Sequence, residues 1–213
     1  PMYQLLGGKF RDKVRVYCDT DVDGKHTGHD MGLALKKRME MGFTFLKMDL
    51  GIGLLMDEPG TINAPLGFID DMKKYAPHIL NVQGGSVTAD MVKAQNSYSI
   101  VTTAHPFTGI HLTEKGLDYL ENYVKEVRDV IGYEVPLAID HFGHVCVEDC
   151  IRFAKRMEPY NLAWLEDMVP WIYTDEYVRL KNSTTIPIAT GEDIYLKEGF
   201  EKIIKAGGVS VIH

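Results

Sequence analysis

Cysteine is scarce in this 213-residue chain, which has only Cys18, Cys146 and Cys150. An odd count in a chain of this length argues against a disulfide framework and points to a reducing compartment, the cytoplasm. Long apolar runs are missing too: none approaches the ~20 residues needed to span a bilayer. The opening Pro1-Met2-Tyr3-Gln4 has no basic stretch followed by an apolar one, so no signal peptide is read. Positive charge is in deficit, with 23 Lys and Arg against 30 Asp and Glu and a formal net charge of −7. A nucleic-acid binder needs a basic face to neutralise phosphates, and the scattered Lys and Arg provide none. Glycine follows no period, which excludes a collagen-like chain. A composition of 45% hydrophobic and 25% charged residues argues against disorder. What remains is a globular chain long enough for one barrel-sized core of roughly 200–250 residues. It opens on Pro1 rather than Met, which points to a native start further upstream.

From residue 136 onward, apolar runs alternate with helical periods. Pro136-Leu137-Ala138-Ile139-Asp140 reads as a strand, followed by a helix over 147–160 with Val147, Ile151, Ala154 and Met157 at spacings of three and four. Leu162-Ala163-Trp164-Leu165-Glu166 is the next strand. Residues 174–181 form the next helix, with Thr174 as N-cap ahead of Asp175 and Glu176. A strand over 186–192, a helix over 196–206 closed by Gly207-Gly208, and a strand over 209–213 complete the series. Strands alternating with helices predict a parallel sheet covered on both faces.

The earlier half keeps the rhythm. Strands are predicted at 14–19 and 43–47, and helices at 28–41 and 113–130, the latter with Leu117, Leu120, Tyr123, Val124 and Val127 on one face. Between them, residues 51–112 carry Pro59-Gly60, Pro65-Leu66-Gly67, Gly84-Gly85 and His105-Pro106, with a short helix predicted at 69–75. An insertion of this length after a barrel strand reads as a lid or substrate loop, or else as a decorative excursion. Six strands and five helices stop short of the eight units that close a (β/α)8 barrel. The expectation is a partial TIM-type barrel domain over 1–213, strands one to six; an open six-stranded α/β sheet is the alternative.

Asp140, Glu166 and Glu192 follow one another at intervals of 26 residues, about one βα repeat. Each therefore falls at the C-terminal end of a successive strand, on the rim where barrel active sites lie. Carboxylates crowded together repel and tend to stay protonated unless a cation holds them. A hard, oxygen-seeking divalent ion, Mg²⁺, suits the set. Any one of the three could instead simply cap the following helix. Strand alternation aims Asp167 and Asp193 away from their predecessors. Lys47 ends the second predicted strand on the same rim, as a base if its pKa moves towards neutrality or as a salt-bridge partner. Asp49, two residues on, faces the same way and is a substrate contact or a plain hydrogen-bonding group.

The opening Pro1-Met2-Tyr3-Gln4-Leu5-Leu6-Gly7-Gly8, then Lys47, then Asp140, Trp164-Leu165-Glu166 and Gly191-Glu192, resemble the enolase superfamily. The similarity is to its mandelate racemase/muconate lactonizing enzyme-like branch of sugar-acid dehydratases, over the chain apart from 51–112. The resemblance implies a modified (β/α)8 barrel preceded by an N-terminal α+β capping domain. That domain and the last two barrel units would lie outside this chain. It implies that Asp140, Glu166 and Glu192 ligate Mg²⁺. It further implies a hydro-lyase that dehydrates an aldonate or aldarate to a 2-keto-3-deoxy acid by α-proton abstraction through a metal-stabilised enediolate. The implied partner is a small acid sugar, not a membrane or nucleic acid, and a homo-oligomer is expected. A racemase, epimerase or cycloisomerase on the same scaffold is the near alternative. The family's Lys-x-Lys reads here Lys47-Met48-Asp49, which removes one of two opposed bases and favours one-way elimination.

Some dehydratases of this group carry a His two residues beyond the first metal ligand. Here that position is Phe142, flanked by His141 and His144, the two acid/base candidates. His105 and His111, at the close of the insertion, and His213, ending the last predicted strand, are candidates to touch substrate. Trp171 and Tyr195 are pocket walls or plain packing. Two rivals use the same residues: a zinc site of His141, His144, Cys146 and Cys150, and a Schiff-base aldolase with Lys47 as nucleophile. In the first case the cysteines otherwise serve as small apolar helix residues.

Overall fold

Short apolar segments buried on both faces build the centre of the molecule. The computed structural model describes residues 1–20, 22, 27–67, 70, 110–140 and 145–213. A two-stranded antiparallel ribbon, β2 (Ile62–Asn63) with β3 (His111–Leu112), stands apart from the main sheet. That sheet holds β1 (Leu46–Asp49), β4 (Leu137–Asp140), β5 (Leu165–Glu166), β6 (Ile188–Thr190) and β7 (Val211–Ile212) in the order β1-β4-β5-β6-β7. Every pairing in it is parallel. Leu46, Met48, Leu137, Ile139, Leu165 and Ile188 are all buried, as strands covered on both faces require.

Helices cover the sheet where the periodicity places them. After a single turn, α1 (Met2–Leu5), come α2 (Gly28–Glu40) and α3 (Glu114–Ile131). The first of these long helices opens with a reciprocal capping box between Thr27 and Asp30. The second buries Leu117, Leu120, Tyr123, Val124 and Val127, the predicted stripe. In α4 (Val147–Met157) the buried face is Val147, Cys150, Phe153, Ala154 and Met157, with Ile151 half-buried at its edge. A 3₁₀ turn at Glu158–Tyr160 then ends at Asn161 in the left-handed region. In α5 (Thr174–Lys181) the N-cap is Tyr173 rather than the expected Thr174, which is buried as the first helical residue. Finally, α6 (Leu196–Ala206) stops at Gly207, which takes the left-handed C-cap conformation (φ +72°) as its position predicts.

One predicted strand does not form. Among the described residues, 14–19 enter no ladder, and Val14 and Val16 are exposed. The segment is held to the approach of β1 through side chains: Arg15 bonds the Thr44 hydroxyl (2.9 Å) and its carbonyl, and Tyr17 packs on Phe45. The short helix expected at 69–75 and most of the insertion lie outside the described residues. The base of the insertion is described: β2 and β3 bring its two ends together, and Ile110 bridges in parallel to Val145 beyond β4.

At the opposite end of the sheet, Arg128 is buried inside α3. Its guanidinium donates to the carbonyls of Tyr160 (3.0 Å), Gly132 (3.1 Å), Val135 (3.2 Å) and Asn161 (2.8 Å). One side chain thereby fastens the turns that lead into β4 and β5. Burial holds its pKa below the ordinary arginine value. Hydrogen bonds from a charged donor contribute about 1.5–3 kcal/mol each, and carbonyls left without partners add a penalty. Arg128→Met should therefore lower the unfolding free energy by about 3 kcal/mol, read as a fall in the urea midpoint at unchanged slope. An unchanged midpoint would show that the turns hold without it.

Candidate metal centre

Strand register decides which side chains meet at the C-terminal rim. Asp49 is level with Asp140 across β1 and β4, Ile139 with Leu165, and Glu166 with Ala189. Asp140 and Glu166 therefore share a level, and both are buried, at 1% and 0% exposure. Equal spacing in the chain does not carry over to the third carboxylate. Glu192 lies three residues beyond the Ala189 that stands beside Glu166. The strand has ended at Thr190, and Glu192 is exposed in the turn that closes with Ile194 N–H donating to the Gly191 carbonyl (2.9 Å). Gly191 is required here, because a Cβ would meet the carbonyl oxygen of His213 at 2.0 Å.

Lys47 crosses from β1 into this level. Its ammonium donates to Asp140 Oδ2 and to Glu166 Oε1 (3.2 Å), and lies 3.9 Å from Asp19 Oδ1. Glu166 is engaged at both oxygens: Trp164 Nε1 donates to Oε2 (2.7 Å), and His213 Nε2 lies 2.5 Å from Oε1. Trp164 stacks on Phe45 at 4.7 Å between centroids, and Tyr17 closes the aromatic cluster with its ring 5.4 Å from Lys47 Nζ. Burial alone would lower the Lys47 pKa. The ion pairs with Asp140 and Glu166 outweigh it and hold the ammonium above its ordinary value.

A carboxylate that alternation assigns to the far side also belongs here. Asp167 has φ +47°, in the left-handed region, so the chain turns after the two-residue β5 and the alternation does not reach it. Oxygens of Asp140, Glu166 and Asp167 all lie within 4.8 Å of one another. The Glu166-Asp167 doublet at the end of so short a strand was the available signal. Asp19, Asp49 and Asp140 form a second such set at the same mouth. The sites expected from sequence thus divide. Lys47, Asp140, Glu166 and His213 come together and Asp49 sits beside them. Glu192 stands in the turn above, while His105, His141 and His144 lie outside the described residues. His111 pairs instead with Cys146 and Asp149. Cys150, of the rival zinc set, is turned inward and donates to the Met168 carbonyl (3.2 Å).

Among the described residues, the rim opposes two buried carboxylates and a half-buried third with one ammonium. Asp167 feels both its burial and these charges. Burial first, and then the fields of Asp140, Glu166 and Glu192, push its carboxyl up to about 6, against the lowering bond from Thr190 Oγ1 (2.5 Å). An all-oxygen donor set fits a hard divalent cation such as Mg²⁺.

A parallel sheet flanked by helices, with buried carboxylates and a lysine at its C-terminal rim, defines an α/β protein of the barrel class. Residues 30–213 match the Enolase C-terminal domain-like family, and the chain belongs to it, within the enolase superfamily. The described strands are part of that family's TIM-type barrel. Among curated relatives, a D-galactonate dehydratase family member of Cellvibrio japonicus is 29% identical over 192 residues. A D-xylonate dehydratase of Haloferax volcanii is 26% identical over 215, and a D-mannonate dehydratase of Rhizorhabdus wittichii 28% over 195. These matches cover 90–100% of this chain but about 40% of each relative. The mandelate racemase/muconate lactonizing enzyme-like protein from Rubrobacter xylanophilus superposes with a TM-score of 0.66 at 25% identity, covering 100% of this chain and 46% of that one. An enolase superfamily member from Salmonella Typhimurium gives 0.69 at 20% identity, covering 100% and 45%, which supports the fold.

The raised Asp167 carboxyl makes stability depend on pH. A carboxyl whose folded pKa exceeds its ordinary 3.8 binds its proton more tightly in the folded state. Its stabilising contribution is complete below about pH 4 and is lost as the pH rises through about 6. In chelator-treated protein, Asp167→Asn should therefore gain about 1–2 kcal/mol over the parent at pH 8 relative to pH 4. Denaturant unfolding at the two pH values measures it, and an equal difference at both would place the strain elsewhere.

Proposed function

We propose that this chain carries the metal-binding rim of a hydro-lyase that removes water from an aldonate or aldarate to give a 2-keto-3-deoxy acid. The observation that supports it most is the buried Asp140–Lys47–Glu166 constellation on the barrel rim. Relatives named as galactonate, xylonate and mannonate dehydratases supply the substrate class. In this reading Asp140, Glu166 and Glu192 hold Mg²⁺, with Asp167 as a further oxygen donor already within reach of the first two. The cation supplies positive charge to a substrate carboxylate as the α-proton leaves. Trp164 and His213 fix Glu166, so that it presents a rigid oxygen pair.

Lys47 Nζ is the proton-handling atom of the described residues in this reading. Two carboxylates hold its proton; engaging their oxygens elsewhere would weaken that hold, so that the ammonium gives one proton to solvent and the neutral amine can accept the α-proton of substrate. Asp49, on the rim next to Asp140, stands where the family pattern has a second lysine. A carboxylate there suits binding a polyol hydroxyl better than opposing Lys47 as a second base, so elimination is favoured over racemisation. In this reading His213 and His105 contact substrate, and His141 or His144 supplies the acid that protonates the departing hydroxyl. The Schiff-base alternative uses Lys47 alone and leaves the buried carboxylates of Asp140 and Glu166 without a role. The insertion over 51–112 is an accessory to one barrel domain, the three free thiols suit a cytoplasmic site of action, and assembly is homo-oligomeric.

Incubating the protein and Mg²⁺ with a panel of acid sugars, and reading 2-keto acid formation, tests the proposal. One or more aldonates or aldarates should be converted, and chelation should stop turnover until Mg²⁺ is restored. Glu166→Gln should reduce turnover at least about 1,000-fold with the fold retained by circular dichroism. Turnover retained in that variant would remove the metal-centre reading. Parallel Mg²⁺ titrations of Glu192→Gln and Asp167→Asn identify the third ligand by which variant weakens binding.

A further inference from the structure

At the base of the insertion, three side chains from two separate stretches of chain meet outside the rim. His111 comes from β3, Cys146 precedes α4, and Asp149 lies in its first turn. His111 Nδ1 is 3.1 Å from Cys146 Sγ and 3.3 Å from Asp149 Oδ2, and Cys146 Sγ is 3.2 Å from the same carboxylate oxygen. The three atoms form a nearly equilateral triangle. Around a tetrahedral zinc ion, with bonds of about 2.0–2.3 Å, sulfur, nitrogen and oxygen ligands stand about 3.3–3.6 Å apart. The triangle is within a few tenths of an ångström of that spacing.

We propose that His111, Cys146 and Asp149 form a second metal site, selective for a borderline, thiolate-binding divalent ion such as Zn²⁺ over Mg²⁺. Sulfur and imidazole exclude a hard ion that prefers oxygen, and this separates the site chemically from the all-carboxylate rim. Charge balances: a thiolate and a carboxylate offset a divalent ion, with the imidazole neutral and the thiol proton released to solvent. The surrounding shell is built. Asp149 Oδ2 accepts from Leu112 N–H (2.8 Å) and Oδ1 from Arg152 Nη1 (2.6 Å), while Arg152 is itself paired with Glu114. Ligating carboxylates are held in this way in metal sites. Cys146 and Asp149 are buried, whereas the His111 side chain is 51% exposed, so the fourth position is open to water. Burial pushes the Cys146 thiol up to about 11, which disfavours a free nucleophile. Cys146 N–H also donates to the Ile110 carbonyl (3.0 Å), so an ion here would staple the returning end of the insertion to α4.

Cobalt(II) titration of the chelator-treated full chain, with excess Mg²⁺ to occupy the rim, tests this. A near-ultraviolet thiolate-to-cobalt band should grow to one equivalent and collapse when Zn²⁺ is added. Cys146→Ser, which keeps a hydrogen-bonding group, should abolish the band. His111→Ala should weaken cobalt binding at least about 100-fold, since even partners that merely orient a ligand are worth 10–100-fold. Glu166→Gln should leave the band intact, so the outcome is independent of the rim. Absence of the band in the parent chain, or its survival in Cys146→Ser, overturns the proposal. If Cys146→Ser does not fold, unchanged cobalt affinity in the half-exposed His111→Ala overturns it equally.

Discussion

A buried charge imbalance organises the rim. Two carboxylates without solvent exposure, Asp140 and Glu166, face one ammonium, Lys47. Charges removed from water cost several kcal/mol each after relaxation, and only close, hydrogen-bonded partners offset that. The surroundings supply such partners: Trp164 and His213 on Glu166, Lys47 on both acids. Among the described residues the ammonium of Lys47 faces more than one negative charge, and burial first, then the fields of these acids, holds the Asp167 carboxyl above its ordinary value. An all-oxygen set of this kind fits a hard divalent cation.

The neighbouring parts of the fold serve that arrangement. Parallel register sets Asp49, Asp140 and Glu166 at one level, the aromatic cluster of Tyr17, Phe45 and Trp164 lies alongside the acids, and Arg128 locks the turns at the far end of the same strands. In (β/α)8 barrels generally, active sites lie at this rim, and the chain spans about 40% of the length of the curated relatives it matches.

Much of this was legible in the residues. The αβ alternation after 136, the stripe on α3, the Gly207 cap and the meeting of Lys47 with Asp140 and Glu166 all follow from period and spacing. Four features were not. The segment at 14–19 has the alternation of a strand, but ladder formation depends on a neighbour that local pattern cannot specify. Asp167 escapes the alternation rule because one left-handed residue ends β5. Glu192 shares the 26-residue interval but not the register, since loop lengths and strand ends, not chain spacing, set the level at which a side chain emerges. The His111–Cys146–Asp149 cluster joins positions up to 38 residues apart, and only the return of β3 beside the start of α4 brings them together.

Crystals grown with Mn²⁺ and measured for anomalous scattering decide whether the buried acids of the rim hold a divalent cation. A peak should stand within bonding distance of both the Asp140 and Glu166 carboxylates. Fully occupied Mn²⁺ sites elsewhere, with Lys47 still bridging the two acids, would contradict it.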